Sequence, residues 1–323
     1  MRALQITELG GPDSLRLTDD APEPNADLGI VVDVEAAGVA FPDLLLSRGL
    51  YQVKPDPPFI PGTEVAGTVR EAPEGSSFSA GQKVMALTFA VGGFAERAAS
   101  APWATFALPE SFSIEQGAGF VMNYHTSHFA LRHRGRLRQG ETVLVHGAAG
   151  GVGTAAVQIA KATGARAIAV VSSDDKERVA RDAGADEVVR SDSEWLKAVR
   201  ELTDGRGVDV VYDPVGGDRF TDSVRSLAPE GRLLVVGFTE GEIPTVAVNR
   251  LLLKNVAVVG VGWGAFVFDK PDLVAEIAAD LARMAADGHV APIVGATYPL
   301  EEGAQALRDL EARRATGKLV LTL

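Results

Sequence analysis

The sequence predicts an α/β chain of two domains, a β-rich one followed by an open, mostly parallel sheet with helices on both faces. Three observations carry that expectation. The chain has 323 residues, about twice a common domain length. Near residue 123 its texture changes from strands punctuated by Gly and Pro to strands alternating with helices. At the head of the alternating part, Thr142-Val143-Leu144-Val145 leads through His146-Gly147-Ala148-Ala149-Gly150-Gly151-Val152-Gly153 into a helix.

Each element follows from a local pattern. In the first part, residues 28–39 and 64–69 are apolar, β-branched runs that read as strands. Pro55, Pro57, Pro58 and Pro61 break up the connection between them, and 82–87 and 95–98 continue the pattern. In the second part, 142–145 is a continuous apolar run suited to a strand buried on both faces. Residues 152–163 are good helix formers and close at Gly164, a natural cap. Strand 166–171 completes a βαβ unit. Helix 176–182, strand 187–189, helix 193–202, strand 208–212, helix 218–227, strand 232–236 and strand 256–261 follow. An amphipathic helix (272–286), a helix (300–313) and a strand (318–322) end the chain. These last elements are too few for a domain. The expected division is therefore 1–122, completed by 265–323, around a sheet domain at 123–264.

Composition removes several classes of function. A net charge of −12 argues against nucleic acid as a partner. Met1-Arg2-Ala3-Leu4-Gln5 lacks the apolar stretch of a signal peptide, and the longest apolar run, 256–268, is broken by glycines and too short for a bilayer. A soluble cytoplasmic protein without a membrane partner is expected. With zero cysteines, disulfides, thiolate-bound zinc, iron–sulfur clusters and a cysteine nucleophile are impossible. His125 and His128 have a spacing that suits a metal on a helix, and His133 follows. No carboxylate accompanies them, and Arg132 and Arg134 would repel a cation. They read as helix-surface histidines, and no metal site is expected.

The glycine-rich turn has a chemical meaning. Small residues let the backbone approach a pyrophosphate, whose charge the helix N–H groups and dipole offset. Ala148, Gly150, Gly151, Val152 and Gly153 are therefore dinucleotide-binding candidates, with Ala148 at the first glycine position of GxGxxG.

Other motifs stand in a fixed order. Gly38-Val39-Ala40-Phe41-Pro42-Asp43 precedes Arg48-Gly49-Leu50-Tyr51 and Pro61-Gly62-Thr63-Glu64-Val65-Ala66-Gly67. Asn123-Tyr124-His125-Thr126 comes before the turn, and Val211-Tyr212-Asp213-Pro214-Val215-Gly216-Gly217 after it. Arg313-Arg314-Ala315-Thr316-Gly317-Lys318-Leu319-Val320-Leu321 ends the set. Together they resemble a zinc-free member of the medium-chain dehydrogenase/reductase superfamily, most like the NADPH:quinone oxidoreductases (zeta-crystallin-like). The resemblance implies a GroES-like catalytic domain and a Rossmann domain. Zinc members hold their catalytic metal with an early Cys and a His before a Glu. Here Ala40, or a neighbour, and Thr63 stand at those places, with Glu64 kept. Quinone oxidoreductases usually carry Asn at the place of Ala40.

The second strand of the βαβ unit addresses cofactor choice. An NAD site places an acid about 20 residues beyond the turn, on the ribose 2′-OH. This strand ends neutrally at Val170-Val171-Ser172-Ser173, with Lys176 one turn later. Hydroxyls and a cation suit a 2′-phosphate, and relatives resembling this chain use such a Ser and Lys, so NADPH is the expected cofactor. Asp174 and Asp175 read as solvent-facing acids at a helix start. Arg190 or Arg313 would add a second cation; the alternative is that Lys176 and Arg190 occupy solvated faces.

The resemblance also implies a reaction: NADPH-dependent reduction of a quinone or related conjugated carbonyl by direct hydride transfer, without metal. Residues expected around the nicotinamide and acceptor are Tyr51, Thr63 and Thr126, with backbone from Gly237-Phe238 and Val261-Gly262-Trp263. Core packing is the alternative for Phe238 and Trp263. Tyr51 either lines the site or, as in enoyl-thioester reductases resembling this family, donates a proton. Reduction of an enone or enoyl thioester is thus the second reading, and a crystallin-like, cofactor-binding protein without enzymatic activity the third. The apolar strand at 256–261 suggests a homodimer through the edge of the sheet.

Overall fold

Met1–Met122 and Ala291–Leu323 fold together as one unit, and Asn123–Val290 forms another. The computed structural model describes residues 1–323 apart from Ala26, Leu28, Phe89, Ala90 and Ser193, and apart from the side chain of Ala265. Leu28 and Ser193, expected to begin a strand and a helix, lie outside the described residues.

The first unit opens with a hairpin of β1 (Ala3–Ile6) and β2 (Leu15–Thr18). It continues through β3 (Ile30–Val39), β4 (Glu64–Glu71), β5 (Lys83–Leu87), β6 (Arg97–Ser100) and β7 (Thr105–Ala107). The second unit holds β8 (Thr142–His146), β9 (Arg166–Val171), β10 (Glu187–Arg190), β11 (Val208–Asp213), β12 (Leu227–Val235) and β13 (Ala257–Gly260). The chain then returns to the first unit for β14 (Val294–Pro299) and β15 (Lys318–Thr322). Among the described residues the main sheet of the first unit runs β14-β15-β3-β4-β5-β7, with β6 also paired to β3.

One contact ties three sequence motifs of this unit together. Lys318 Nζ on β15 lies 2.5 Å from Glu64 Oε1 on β4, and both side chains are buried. The strand between them is β3, which contributes Gly38 to the crossing. A Cβ on Gly38 would fall 2.0 Å from Ala118 O, 2.7 Å from Lys318 Cε and 2.9 Å from Glu64 Cγ. Only a residue without a side chain leaves that passage open. The second Glu64 oxygen accepts the Met122 N–H at 2.9 Å, so both oxygens are matched.

In the second unit the sheet order is β10-β9-β8-β11-β12-β13, with every strand pairing parallel. The strands are fully buried where their apolar runs are continuous: Val143, Leu144, Ile168, Val210, Val211, Leu233 and Leu234 are all at 0 % exposure. Helices cover both faces, as such two-sided burial requires. From β8 the chain builds outward to β10, then returns to place β11 on the other side of β8. In sheets of this kind such a reversal marks the place, at the carboxyl ends of the strands, where ligands bind.

The structure corrects several expectations. The helix Pro271–Ala286 belongs to the second unit, so the boundary expected after residue 264 falls after Val290. The helix buries Val274, Ile277 and Leu281 along one stripe, and its Asp280 meets His128 Nε2 at 2.7 Å. The helix Val121–His128 buries His125 and His128, which were expected on its surface, and continues as a π-helical turn, Phe129–Arg134. Burial holds His128 below the usual histidine range, against the opposing pull of Asp280. The strand expected at 95–98 lies at Arg97–Ser100, and helix Phe41–Ser47 was not anticipated.

Lys318→Ala should lower stability by about 3–5 kcal/mol, because it leaves the Glu64 charge buried without its partner. Glu64→Gln combined with Lys318→Met should recover most of that loss. Urea denaturation measures both variants; equal losses would show that the pair is not what Lys318 contributes.

Candidate active site

The glycine-rich turn sits where β8 ends, and its glycines have separate reasons. Gly147 adopts φ 59°, a left-handed conformation that glycine tolerates without strain. A Cβ on Gly153 would lie 2.1 Å from the Gly147 carbonyl oxygen, so the first turn of helix Gly151–Ala162 packs directly on the loop. A Cβ on Gly151 would meet Asn123 Nδ2 at 2.5 Å. Gly150 differs: a Cβ there would make only an ordinary 3.4 Å contact with Gly147 O. The protein's own packing does not demand this glycine, and its bare backbone leaves room for a phosphate at the helix start. Ala148, at the first glycine position, is fully buried, so its methyl adds to the core. Beneath the turn, His146 shares a 2.9 Å hydrogen bond between Nε2 and Ser223 Oγ. Burial pushes its pKa down to about 4, so the ring is neutral at physiological pH.

The end of β9 forms a polar corner. Lys176 Nζ lies 3.1 Å from Ser172 Oγ. Ser173 is the helix N-cap, and its hydroxyl accepts the Lys176 N–H at 3.4 Å. Val171 and Arg190 are register partners on adjacent strands, which brings Arg190 to the same corner. Its guanidinium is held by Asp174 and, at 2.8 Å, by Glu177. Arg190 therefore arrives with its charge already matched by carboxylates. Asp174 is engaged with Arg190, and Asp175 with Arg178. No acid replaces the neutral serines at the strand end. The turn and this corner together fit a dinucleotide carrying a 2′-phosphate.

The remaining candidates of the second unit stand beyond β12, beyond β13 and on one helix. Gly237 donates its N–H to Asp213 O at 3.4 Å, and Phe238 beside it is half-buried. Gly262 is exposed, and a Cβ there would meet nothing within 4 Å. Trp263 is buried with its ring 5.5 Å from His125, on the helix that also carries half-buried Thr126. Sequence reasoning missed Asp213. Its buried Oδ1 accepts the N–H groups of Val215 and Gly216, both at 2.9 Å, and so holds the loop after β11.

In the first unit, Tyr51 is half-buried beside exposed Leu50 and Val53. Burial and then the nearby Asp43 charge raise its pKa, so the phenol keeps its proton. Thr63 is buried, and its Oγ1 has no hydrogen-bond partner. Arg313 is exposed at φ 56°. Asp43 was also missed. Its fully buried carboxylate accepts the Ala40 N–H at 2.7 Å and the Gly62 N–H at 3.1 Å. Burial pushes its pKa up to about 7 against the pull of those N–H groups and Lys318. Both missed acids lie inside motifs that the sequence displays, where an acid in a turn reads as a solvated group. Among the described residues, no group of three or more His, Cys, Asp or Glu is placed to hold a metal ion.

Comparison with known proteins agrees with this architecture. Residues 26–110 match the alcohol dehydrogenase GroES-like domain, and residues 151–283 match the zinc-binding dehydrogenase family. A rat quinone oxidoreductase-like protein 2 is 37 % identical over 325 residues, spanning 100 % of this chain and 92 % of its own. A probable oxidoreductase from Mycobacterium abscessus is 47 % identical, with a TM-score of 0.91 and coverage of 100 % and 99 %. A quinone oxidoreductase from Thermus thermophilus, solved also as its complex with NADPH, is 36 % identical, with a TM-score of 0.85 and coverage of 100 % of both chains. With a GroES-like unit, a parallel sheet of six strands among the described residues and relatives of this identity and coverage, the chain belongs to the quinone oxidoreductase family of the medium-chain dehydrogenase/reductase superfamily.

Proposed function

We propose that this chain reduces a quinone with NADPH and needs no metal to do so. It is an NADPH-dependent oxidoreductase. The observation that carries the cofactor assignment is the neutral end of β9, where Ser172 and Lys176 stand in place of an acid. When bound, NADPH supplies a hydride from its reduced nicotinamide. The quinone takes up that hydride as a hydroquinone anion, and one proton from water or a hydroxyl completes the hydroquinone. Such chemistry asks the protein for orientation and exclusion of water more than for a strong acid. The polar groups expected near the acceptor, Tyr51, Thr63 and Thr126, are neutral hydroxyls, and Tyr51 is held protonated. The quinone oxidoreductase relatives support the same acceptor class.

We also propose a homodimer through β13. This strand ends the sheet, its Ala257-Val258-Val259-Gly260 run carries no charge, and nearby Leu252 and Leu253 are 76 % and 78 % exposed. An open, uncharged edge favours pairing with a second copy. Sedimentation should give a dimer at micromolar concentration; a monomer would contradict this assembly.

Lys176→Ala should weaken NADPH binding by roughly 1.5–3 kcal/mol, about ten- to a hundredfold, while leaving NADH nearly unchanged. Fluorescence titration with both cofactors tests this, and equal losses would assign Lys176 a structural role. For the acceptor, Tyr51→Phe should change quinone turnover only modestly, because a hydroquinone anion is easily protonated. If the natural acceptor is an enone or enoyl thioester, the same substitution removes the acid for a far more basic enolate and costs on the order of 10²–10⁴-fold. Steady-state assays on both classes separate the readings. A large collapse confined to quinones, with folding and NADPH binding intact, would sink the solvent-protonation scheme.

A further inference from the structure

We propose that Asp43 is a positioning residue for the acceptor: its buried carboxylate locks the Ala40 and Gly62 peptides together and so aims the Thr63 hydroxyl at the acceptor oxygen. This assignment rests on the reductase reading above. The two N–H groups that Asp43 accepts belong to different elements, the start of helix Phe41–Ser47 and the turn leading into β4. Gly62 is pinned from its other side as well. Its carbonyl accepts from Thr88 Oγ1 and, at 3.2 Å, from the Gly93 N–H. It adopts φ 109°, and a Cβ on it would lie 2.6 Å from Phe94 N. The Thr63 carbonyl accepts the Thr88 N–H at 3.0 Å. Thr63 is thus fixed along its backbone, with one polar atom unused.

That atom, Oγ1, is buried without a partner. Leaving a buried hydroxyl unsatisfied is unfavourable, and an oxygen on a bound acceptor would supply the missing bond. Asp43 itself is an expensive choice for a purely structural tie. The groups acting on it are Lys318, which favours its charge, and Glu64, which opposes it, while burial raises its pKa to about 7. A short polar side chain without charge would cap one of the two N–H groups at less cost. The carboxylate's advantage is that it holds both at once.

A double-mutant cycle tests the assignment, using NADPH with a quinone. Asp43→Asn keeps the side-chain volume and one acceptor oxygen. Thr63→Val keeps the shape and removes the hydroxyl. Each should lower kcat/KM by about tenfold, the loss of one hydrogen bond, with the Kd for NADPH held within about twofold. The double variant should be no worse than Thr63→Val alone, because Asp43 acts through Thr63. Additive losses, an unchanged Asp43→Asn enzyme, or equal damage to NADPH binding would each overturn the proposal. Should Asp43→Asn fail to fold, Thr63→Ser must retain kcat/KM where Thr63→Val loses it; an unaffected Thr63→Val refutes the role. A wild-type chain that binds NADPH but reduces no quinone removes the reductase reading and this assignment with it.

Discussion

The first unit is organised by what its buried carboxylates require. Glu64 and Asp43 are both at 0 % exposure, where an unmatched charge would be prohibitive. Glu64 is matched by Lys318, which reaches it from a residue 254 positions away, and Asp43 by two backbone N–H groups. Gly38 must lack a side chain because a Cβ would strike the Ala118 carbonyl oxygen at 2.0 Å as well as both partners of the first match, and the bends at Ala40 and Gly62 are held by the second. The two carboxylates thus tie β15 to β4 across β3, and the end of β3 to the turn that carries Thr63. The resemblance to zinc members of the superfamily implies that they bind a metal at the places of Ala40, or a neighbour, and Thr63. Here hydrogen bonds and an ion pair organise the same stretch of chain.

The second unit solves a different problem, presenting backbone N–H groups to an anion without exposing the rest of the peptide backbone. Gly153 and Gly147 bring the helix onto the turn, His146 enters it as a neutral ring bonded to Ser223, and Gly150 leaves the space open. The selective element lies one strand away. Lys176 Nζ meets Ser172 Oγ there at 3.1 Å, and Arg190 is held by Asp174 and Glu177. The proposed discrimination between cofactors rests on Ser172 and Lys176 at this corner. Arg190 contributes chiefly by tying β10 to the helix that carries Lys176.

Much of this was legible in the sequence, for physical reasons. Strands buried on both faces must be continuous apolar runs, so β8, β9 and β11 announce themselves, and the glycine turn is dictated by close approach. The hairpin of β1 and β2 and helix Phe41–Ser47 were not visible, because short elements carry too little periodicity. Helix Pro271–Ala286 was visible as an amphipathic helix, but the unit it joins depends on where its apolar stripe docks. His125 and His128 looked like surface residues because their burial comes from distant chain: Asp280, which meets His128, is 152 positions from it. Asp43 and Asp213 could not be recognised as buried, since the N–H groups that satisfy them come from turns whose shape the acids themselves fix. Thr63 was identified by its place in a motif; its unsatisfied hydroxyl is a property of packing alone.

In the proposed reaction this chain moves a hydride from NADPH directly to an acceptor through orientation and without metal. A single-turnover experiment with chelated enzyme tests it most directly, comparing ordinary NADPH with NADPH deuterated at the reactive nicotinamide carbon and using a quinone as acceptor. Oxidation should proceed without added metal and slow with deuterium, as transfer of that hydrogen in the rate-determining step requires. Oxidation that is indifferent to the label in the single turnover, or that stops when metal is removed, would contradict it.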